Sequence, residues 1–273
     1  MNKTQLGQVL EKFGMRPGKM LGQNFLVDSN LLDFIVRSAN VQPGEVILEA
    51  GPGFGALSQP LLQAGAQLYS IEFDRRICDY LRKEITADNF HLIEGDACRV
   101  NIAEELPAAK PFRAVANLPY SISSIFVARL LELENVPTQM IFMLQKEMAE
   151  RLAAPFDCKD YGALSVRTQY LYDVKIIRAV PPTVFHPQPR VDSAVVQFDL
   201  KRDVDMDMKF RKRLSSVAKS AFLQRRKQMC KVLAGNFDRE RVEGAFEKLG
   251  IRPDVRPAAL TVDDFVKLTL ELM

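Results

Sequence analysis

Short apolar runs separated by helix-length amphipathic stretches set the rhythm of the first two-thirds of the chain. EVILEA (45–50) is an apolar run that stops at GPGFG, and the helical stretch ALSQPLLQAG follows it. QLYSIEFD (67–74) is a second strand candidate and ends in acid. RRICDYLRKEI then places Ile77, Tyr80, Leu81 and Ile85 on one helical face. FHLIEGD (90–96), FRAVANLPY (112–120) and QMIFMLQ (139–145) supply further strands. Strands alternating with helix-length pieces predict a parallel α/β sheet with right-handed crossovers.

The rhythm then changes. YDVKIIRAV (172–180) and SAVVQFDL (193–200) are strand candidates joined by the proline-rich PPTVFHPQPRVD. That connection cannot be a helix, so an antiparallel pair at the sheet edge is expected. Beyond residue 205 no strand signal remains. KFRKRLSSVAKSAFLQRRKQMCKVLAG (209–235), DRERVEGAFEKLG and TVDDFVKLTLEL all read as helices. Gly235 and Gly250 are stop signals, and Thr261 with Asp264 three residues on is an N-cap pair. The expected organisation is an α/β domain over 1–203 and a small all-helical domain over 204–273. Leu6, Leu10 and Phe13 add a short amphipathic helix near the start.

Composition narrows the function classes. The 273 residues, 47% of them hydrophobic, suit one large domain or a main domain with a small one. No apolar run is long enough to span a membrane, and the first residues do not read as a secretory signal. Cys78, Cys98, Cys158 and Cys230 form no CxxC pair, and His91 and His186 are the sole histidines. No metal site is expected, and scattered thiols fit a reducing cytoplasm. Net charge is +3, yet residues 201–231 hold eleven Lys or Arg against three Asp, a local +8 that leaves −5 elsewhere. A basic segment on a neutral-to-acidic body points to a polyanionic partner, although a solvated helix carries such charge too.

The candidate chemistry gathers at strand ends. Gly51, Gly53 and Gly55 make a GxGxG turn between a strand and a helix, where a ligand can approach the backbone closely. The same glycines would also serve a tight turn with close helix packing. Glu72 ends the next strand, where a carboxylate can accept both ribose hydroxyls of a nucleoside. These two features fit a nicotinamide dinucleotide and S-adenosylmethionine equally. Asp96 closes the third strand, placed to accept an adenine's exocyclic amine or to cap a helix.

NLPYSISS (117–124) raises a more specific chemistry. An adenine exocyclic nitrogen is a poor nucleophile, because its lone pair is delocalised into the ring. Acceptors beside its hydrogens draw it toward tetrahedral geometry and free the lone pair for in-line attack on a sulfonium methyl. The Asn117 side-chain oxygen and the Leu118 carbonyl are such acceptors. Pro119 stiffens the backbone that presents them, and Tyr120 can stack on the base. Positioning would supply much of the rate, with no strong general base. The plainer alternative is a turn with a half-buried tyrosine.

Nine segments occur in order: LGQNFL (21–26), LEAGPGFGALS (48–58), IEFD (71–74), EGDA (94–97), NLPYSISS, MLQKEMAERL (143–152), YGALSVRTQY (161–170), FHPQPRVDSAVV (185–196) and AFLQRRKQ (221–228). Together they resemble the bacterial small-subunit rRNA adenine N6-dimethyltransferase family over nearly the whole chain. The resemblance implies a Rossmann-like class I methyltransferase sheet, parallel with an antiparallel edge hairpin, and a helical RNA-binding domain. It implies S-adenosylmethionine held by Asn24, Leu26, Gly51, Gly53, Glu72, Asp96 and Asn117, with catalysis at Asn117, Leu118, Pro119 and Tyr120. It implies that Phe185 stacks on the target base's other face, a role that core packing rivals. The implied substrate is two adjacent adenosines in a hairpin loop near the 3′ end of small-subunit rRNA, each dimethylated within the 30S subunit or its precursor. Arg225, Arg226 and Lys227, with Arg211, Lys212 and Arg213, would position phosphates. The implied enzyme is a cytoplasmic monomer that serves subunit biogenesis and needs no metal or membrane. Phe54 and Cys98 depart from the usual family residues without touching this chemistry.

Rival readings remain. A large-subunit rRNA adenine methyltransferase of the macrolide-resistance type shares the fold and the Asn-x-Pro-Tyr logic. Chain length, LGQNFL, VDSAVV and AFLQRRK favour the small-subunit enzyme. A non-catalytic RNA-binding assembly factor would keep the fold with a silent site, yet every implied contact is intact. A nicotinamide dehydrogenase would need a proton-transfer residue, and neither histidine is placed for one.

Overall fold

The structure, a computed structural model, describes residues 3–13, 24–108 and 110–273. It divides into two compact units, one of residues 1–149 and 175–199, the other of residues 150–174 and 200–273. The strands are β1 (Phe25–Leu26), β2 (Val46–Ala50), β3 (Gln67–Glu72), β4 (Phe90–Glu94), β5 (Phe112–Asn117), β6 (Gln139–Gln145), β7 (Tyr172–Val180), β8 (Phe185–His186) and β9 (Ser193–Leu200). Seven of them form one sheet in the order β4-β3-β2-β5-β6-β9-β7. β2, β3, β4, β5 and β6 pair in parallel, and β9 runs antiparallel to β6. β2 is buried at all its positions, as befits a central parallel strand covered on both faces. Chain order reverses between β2 and β5, which opens a crevice at their carboxyl ends.

Helices α1 (Lys3–Lys12), α2 (Ser29–Ala39), α3 (Ser58–Gln63), α4 (Arg75–Glu84), α5 (Ile102–Glu105) and α6 (Ser123–Leu130) belong to this first unit. Asp28 and Asp74 start α2 and α4 by accepting from the Leu31 and Arg76 N–H groups at 2.8 and 3.0 Å. α4 buries Ile77, Tyr80 and Leu81, as its periodicity predicts. α1 buries Leu6 and Leu10, which join Phe54 and Tyr80 in one apolar cluster. Beyond expectation, β1 and β8 form a separate antiparallel ladder with Leu26 opposite Phe185.

α7 (Lys146–Ala153) and β7 each straddle the division between the units. The second unit holds α8 (Ala163–Leu171), α9 (Met208–Phe222), α10 (Met229–Ala234), α11 (Arg239–Lys248) and α12 (Val262–Glu271). Its core includes Tyr161, Val166, Leu214, Val217, Phe246 and Phe265. A boundary at 203 comes close to the division at 199, but residues 150–174 group with the C-terminal helices. α8 buries Ser165, Val166, Arg167, Thr168 and Leu171. Ser165 Oγ donates to the Arg151 carbonyl at 2.6 Å, and Gln169 Nε2 to the Leu152 and Ala154 carbonyls.

The single helix expected over 209–235 is two. α9 ends at Phe222, residues 223–227 turn, and α10 begins at Met229. The break is held from outside, since the Met229 N–H donates to the Val255 carbonyl at 2.8 Å. Thr261 and Asp264 cap α12 reciprocally, as expected, at 3.1 and 2.9 Å. No described helix is long and apolar enough to cross a membrane.

Candidate active site

A cavity of about 260 Å³ opens at the carboxyl ends of β2, β3, β4 and β5. Gly51 and Gly53 line it with φ of +68° and +54°, in the left-handed region that favours glycine. A Cβ on Gly51 would stand 3.0 Å from Pro119 Cδ, and one on Gly53 would stand 3.2 Å from the Phe25 ring. The bare Gly51 backbone therefore lets the Asn-Leu-Pro-Tyr turn pack directly on the glycine turn.

Glu72 is buried at the end of β3. Its Oε1 accepts from the Phe73 and Asp74 N–H groups at 2.8 Å, and its Oε2 from the Gly53 N–H at 3.3 Å. Burial raises its pKa above the ordinary carboxylate value, while those bonds act to lower it. The long Oε2 bond leaves capacity for a ligand hydroxyl. Asp96 lies past the end of β4, where Oδ1 accepts from the Cys98 N–H at 2.8 Å and Oδ2 stands 3.4 Å from Arg99 Nε. It is both a turn cap and a cavity wall.

Glu49 was not foreseen as a site residue. It lines the cavity two residues before Gly51, and its Oε2 accepts from the hydroxyls of Ser58 and Ser70 at 2.7 Å each. Burial, aided by the Glu72 charge, pushes its carboxyl up to about 7 against the pull of both serines. With Asp74, four carboxylates line the cavity, and no Lys or Arg does so among the described residues. A nicotinamide dinucleotide carries a pyrophosphate, which this lining would repel. A cofactor of net positive charge suits it, which separates the two readings that Gly51 and Glu72 left equal.

Asn117 ends β5, and its Nδ2 donates to the Asn24 carbonyl at 3.3 Å. That bond leaves Oδ1 as an acceptor without a donor among the described residues. The Leu118 N–H donates to the Met143 carbonyl at 3.3 Å, while no described group donates to the Leu118 carbonyl. Tyr120 lines the cavity and shares a 2.6 Å hydrogen bond with Ser193 Oγ at the start of β9. Ser193 is a second residue that was not foreseen; it sits in the VDSAVV segment. Asn24 and Leu26 line the same cavity, and residues 21–23 of LGQNFL lie outside the described residues.

Phe185 stands apart from these residues. It is 4% exposed, packs with Leu26, Leu31 and Val180 in the core, and does not line the cavity. The β1–β8 ladder sets it opposite Leu26, and core packing accounts for its burial there.

In the second unit, Arg225, Arg226 and Lys227 lie in the turn after α9 instead of on a helix. Arg226 and Lys227 are exposed, and Arg225 donates to the Cys158 carbonyl at 3.0 Å. An open cleft of about 440 Å³ gathers Lys159, Arg225, Arg226, Arg252 and Arg256, with Asp157 and Asp254 between them. Arg211 is buried, and Arg213 stacks over Phe237 at 4.6 Å while donating to the Leu272 carbonyl. Those two cations of the expected basic face are thus spent inside the unit.

The model of the family described as ribosomal RNA adenine dimethylase matches residues 16–273. The chain is 37% identical over 264 residues to a protein of Clostridium botulinum named ribosomal RNA small subunit methyltransferase A, covering 96% of each chain. Among solved structures, it superposes on a Plasmodium falciparum dimethyladenosine transferase with a TM-score of 0.76 at 24% identity, covering 90% of this chain and 96% of that one. The 23S rRNA methyltransferase ErmE superposes with a TM-score of 0.67 at 26% identity, over 91% and 99% of the two chains.

Proposed function

The chain belongs to the ribosomal RNA adenine dimethylase family, and we propose that it converts two adjacent adenosines in a 3′-terminal hairpin loop of small-subunit rRNA to N6,N6-dimethyladenosine. S-adenosylmethionine, when bound, supplies an electrophilic methyl on a sulfonium centre. The cavity residues fit it. Gly51 and Gly53 leave the backbone bare for the methionyl part, Glu72 Oε2 takes the ribose hydroxyls, and Asp96 takes the adenine amine. Asn24 and Leu26 line the same wall.

This chain's part in the chemistry is placement. Asn117 Oδ1 and the Leu118 carbonyl accept from the target amine and turn its lone pair toward the methyl group. Tyr120, steadied by Ser193, stacks on the base. The methylated nitrogen is cationic and sheds its proton to water, so no side chain has to act as a strong base. The target adenine must leave its stack to reach the cavity, which suits a loop. Arg225, Arg226 and Lys227 hold phosphates on the helical side. On this reading the enzyme acts as a monomer in the cytoplasm on the 30S subunit or its precursor.

The observation that carries the reading is the contact of Pro119 with the bare Gly51 backbone, which makes the base acceptors and the cofactor turn one wall. The test is methyl transfer from labelled S-adenosylmethionine to separate large and small subunits from a strain lacking dimethyladenosine. Dimethyladenosine on the small subunit alone, approaching four methyls per particle, is expected. Label on large-subunit RNA would favour the macrolide-resistance activity instead. No label with cofactor binding intact would favour an assembly factor without the chemistry.

A further inference from the structure

The turn that carries Asp96 is closed on itself and fastened from two directions. The Asp96 carbonyl accepts from the Arg99 and Val100 N–H groups at 2.7 and 2.9 Å, and its Oδ1 from the Cys98 N–H at 2.8 Å. On the strand side, the Gly95 N–H donates to the Glu72 carbonyl at 2.8 Å. A Cβ on Gly95 would stand 2.6 Å from Val100 Cγ2, so the turn folds back tightly onto the end of β4. The second fastening is Arg129, in the last turn of α6. Its Nη2 donates to the Val100 carbonyl at 2.6 Å and its Nη1 to the Ala97 carbonyl at 3.4 Å. One planar guanidinium thus spans the turn from residue 97 to residue 100.

The helix that carries Arg129 begins at the Asn-Leu-Pro-Tyr turn. The Ile122 N–H donates to the Pro119 carbonyl at 3.1 Å and Ser123 Oγ to the Tyr120 carbonyl at 3.1 Å, so that turn winds directly into α6. Phe126, Val127 and Leu130 bury one face of the helix and leave it no freedom to slide. The other cation near Asp96 is Arg99, 3.4 Å from Oδ2, and its side chain is 87% exposed. An ion pair open to water fixes a carboxylate weakly. The two hydrogen bonds from Arg129 are therefore what holds the Asp96 turn at a set distance from the base acceptors.

We propose that Arg129 is a positioning residue for cofactor specificity: by bracing the Asp96 turn against the helix that follows the base acceptors, it lets Asp96 distinguish a 6-amino from a 6-oxo purine. The inference rests on the reading that Asp96 takes the adenine amine of the cofactor. A carboxylate accepts from that amine and repels an oxygen in its place, and it does so sharply only while held at hydrogen-bonding distance. A turn free to recede would still admit the cofactor but would discriminate its purine edge less. Arg129 itself touches neither the cofactor nor the reacting atoms on this reading.

The test is calorimetric titration of the full chain with S-adenosylhomocysteine and with S-inosylhomocysteine, which carries an oxygen in place of the 6-amino group. The unaltered chain should prefer the adenosyl compound by roughly tenfold or more. Arg129→Met keeps an apolar stem and removes both donors. It should weaken the adenosyl compound roughly fivefold and leave the inosyl compound within about twofold, so the preference shrinks. Arg129→Lys keeps the charge but cannot span two carbonyls, and should fall between. Asp96→Asn should abolish the preference, and adding Arg129→Met to it should change little more, because the two residues act as one unit. In methyl transfer to small subunits, Arg129→Met should raise KM for S-adenosylmethionine and leave kcat within about twofold. Equal weakening of both compounds, or an unchanged preference with a lowered melting temperature, would show a merely structural role and overturn the inference. So would a lower kcat at unchanged KM, which would assign Arg129 to the base acceptors instead. If the unaltered chain shows no preference, the reading of Asp96 itself fails, a result distinct from the others.

Discussion

At the carboxyl edge of the sheet, four carboxylates line a cavity without a cation among the described residues. In the turn after α9, Arg226 and Lys227 are exposed, and neither forms an ion pair among the described residues. The two regions hold opposite charges, and water decides what each charge can do. In the cavity, burial raises the proton affinities of Glu49 and Glu72, so a single ligand charge at close range matters. In the turn, each cation is screened within about 10 Å at ordinary salt and contributes through number. The first region should therefore be selective and insensitive to salt, and the second sequence-blind and salt-sensitive.

The largest expected effect is on the cavity side. Asn117→Ala removes an acceptor aimed at the target amine and should lower kcat by roughly 100- to 1000-fold, by analogy with loss of one transition-state hydrogen bond. Subunit binding, measured by co-sedimentation, should be unchanged. Retained turnover would end the assigned role.

Glu49→Gln should show next that burial, not solvent, sets the cavity's charge. The folded carboxyl keeps its proton up to about pH 7, whereas the unfolded chain loses it near 4.5. Folding stability therefore falls as pH rises through that window, by about 3 kcal/mol once above it. The glutamine variant escapes this loss. Its melting temperature without cofactor should match the parent's near pH 4.5 and exceed it increasingly toward pH 8. A gap independent of pH would show that the folded carboxyl is not held protonated.

A smaller effect belongs to the turn. Reversing Arg226 and Lys227 to Glu should weaken subunit binding, with the slope of log affinity against log salt falling by roughly 1 for each lost phosphate contact. Cofactor affinity should not move. Unchanged subunit binding would shift the RNA-binding role to other surfaces, Arg252 and Arg256 first among them.

The same contrast explains what could be read from the chain. β6 coincides with QMIFMLQ at both ends, because an apolar run buried in a sheet is a local signal. Gly51, Glu72, Asp96 and Asn117 were legible because parallel strands deliver their C-terminal residues to one edge. Glu49 was not, since a lone acid near the end of VILEA carries no signal until the register sets Ser70 beside it. Ser193 likewise needed the fold to bring β9 to Tyr120. The break after Phe222 has no proline or glycine to mark it and depends on Val255, far along the chain. Arg211 and Arg213 look like surface charge in sequence, because burial and a stacking partner at Phe237 leave no local pattern.

Phe185 draws the border of the cavity, and its substitution should have the smallest effect. FHPQPRVD gives an aromatic beside a rigid turn, which suits either stacking or packing. The β1–β8 ladder pairs it with Leu26 and buries it, which favours packing. Phe185→Leu should therefore cost roughly 1 kcal/mol of stability, seen as a modestly lower melting temperature. Initial rates on small subunits should keep the parent's kcat and KM at a temperature where both proteins are folded. A stacking residue would behave in the opposite way. Losing a ring from the target base would cost roughly 1–3 kcal/mol in kcat/KM while leaving the melt nearly unchanged. Tyr120→Leu should follow that second pattern, because Tyr120 lines the cavity and Phe185 does not. Measured together, the two variants separate an aromatic that meets the substrate from one that holds the wall behind it.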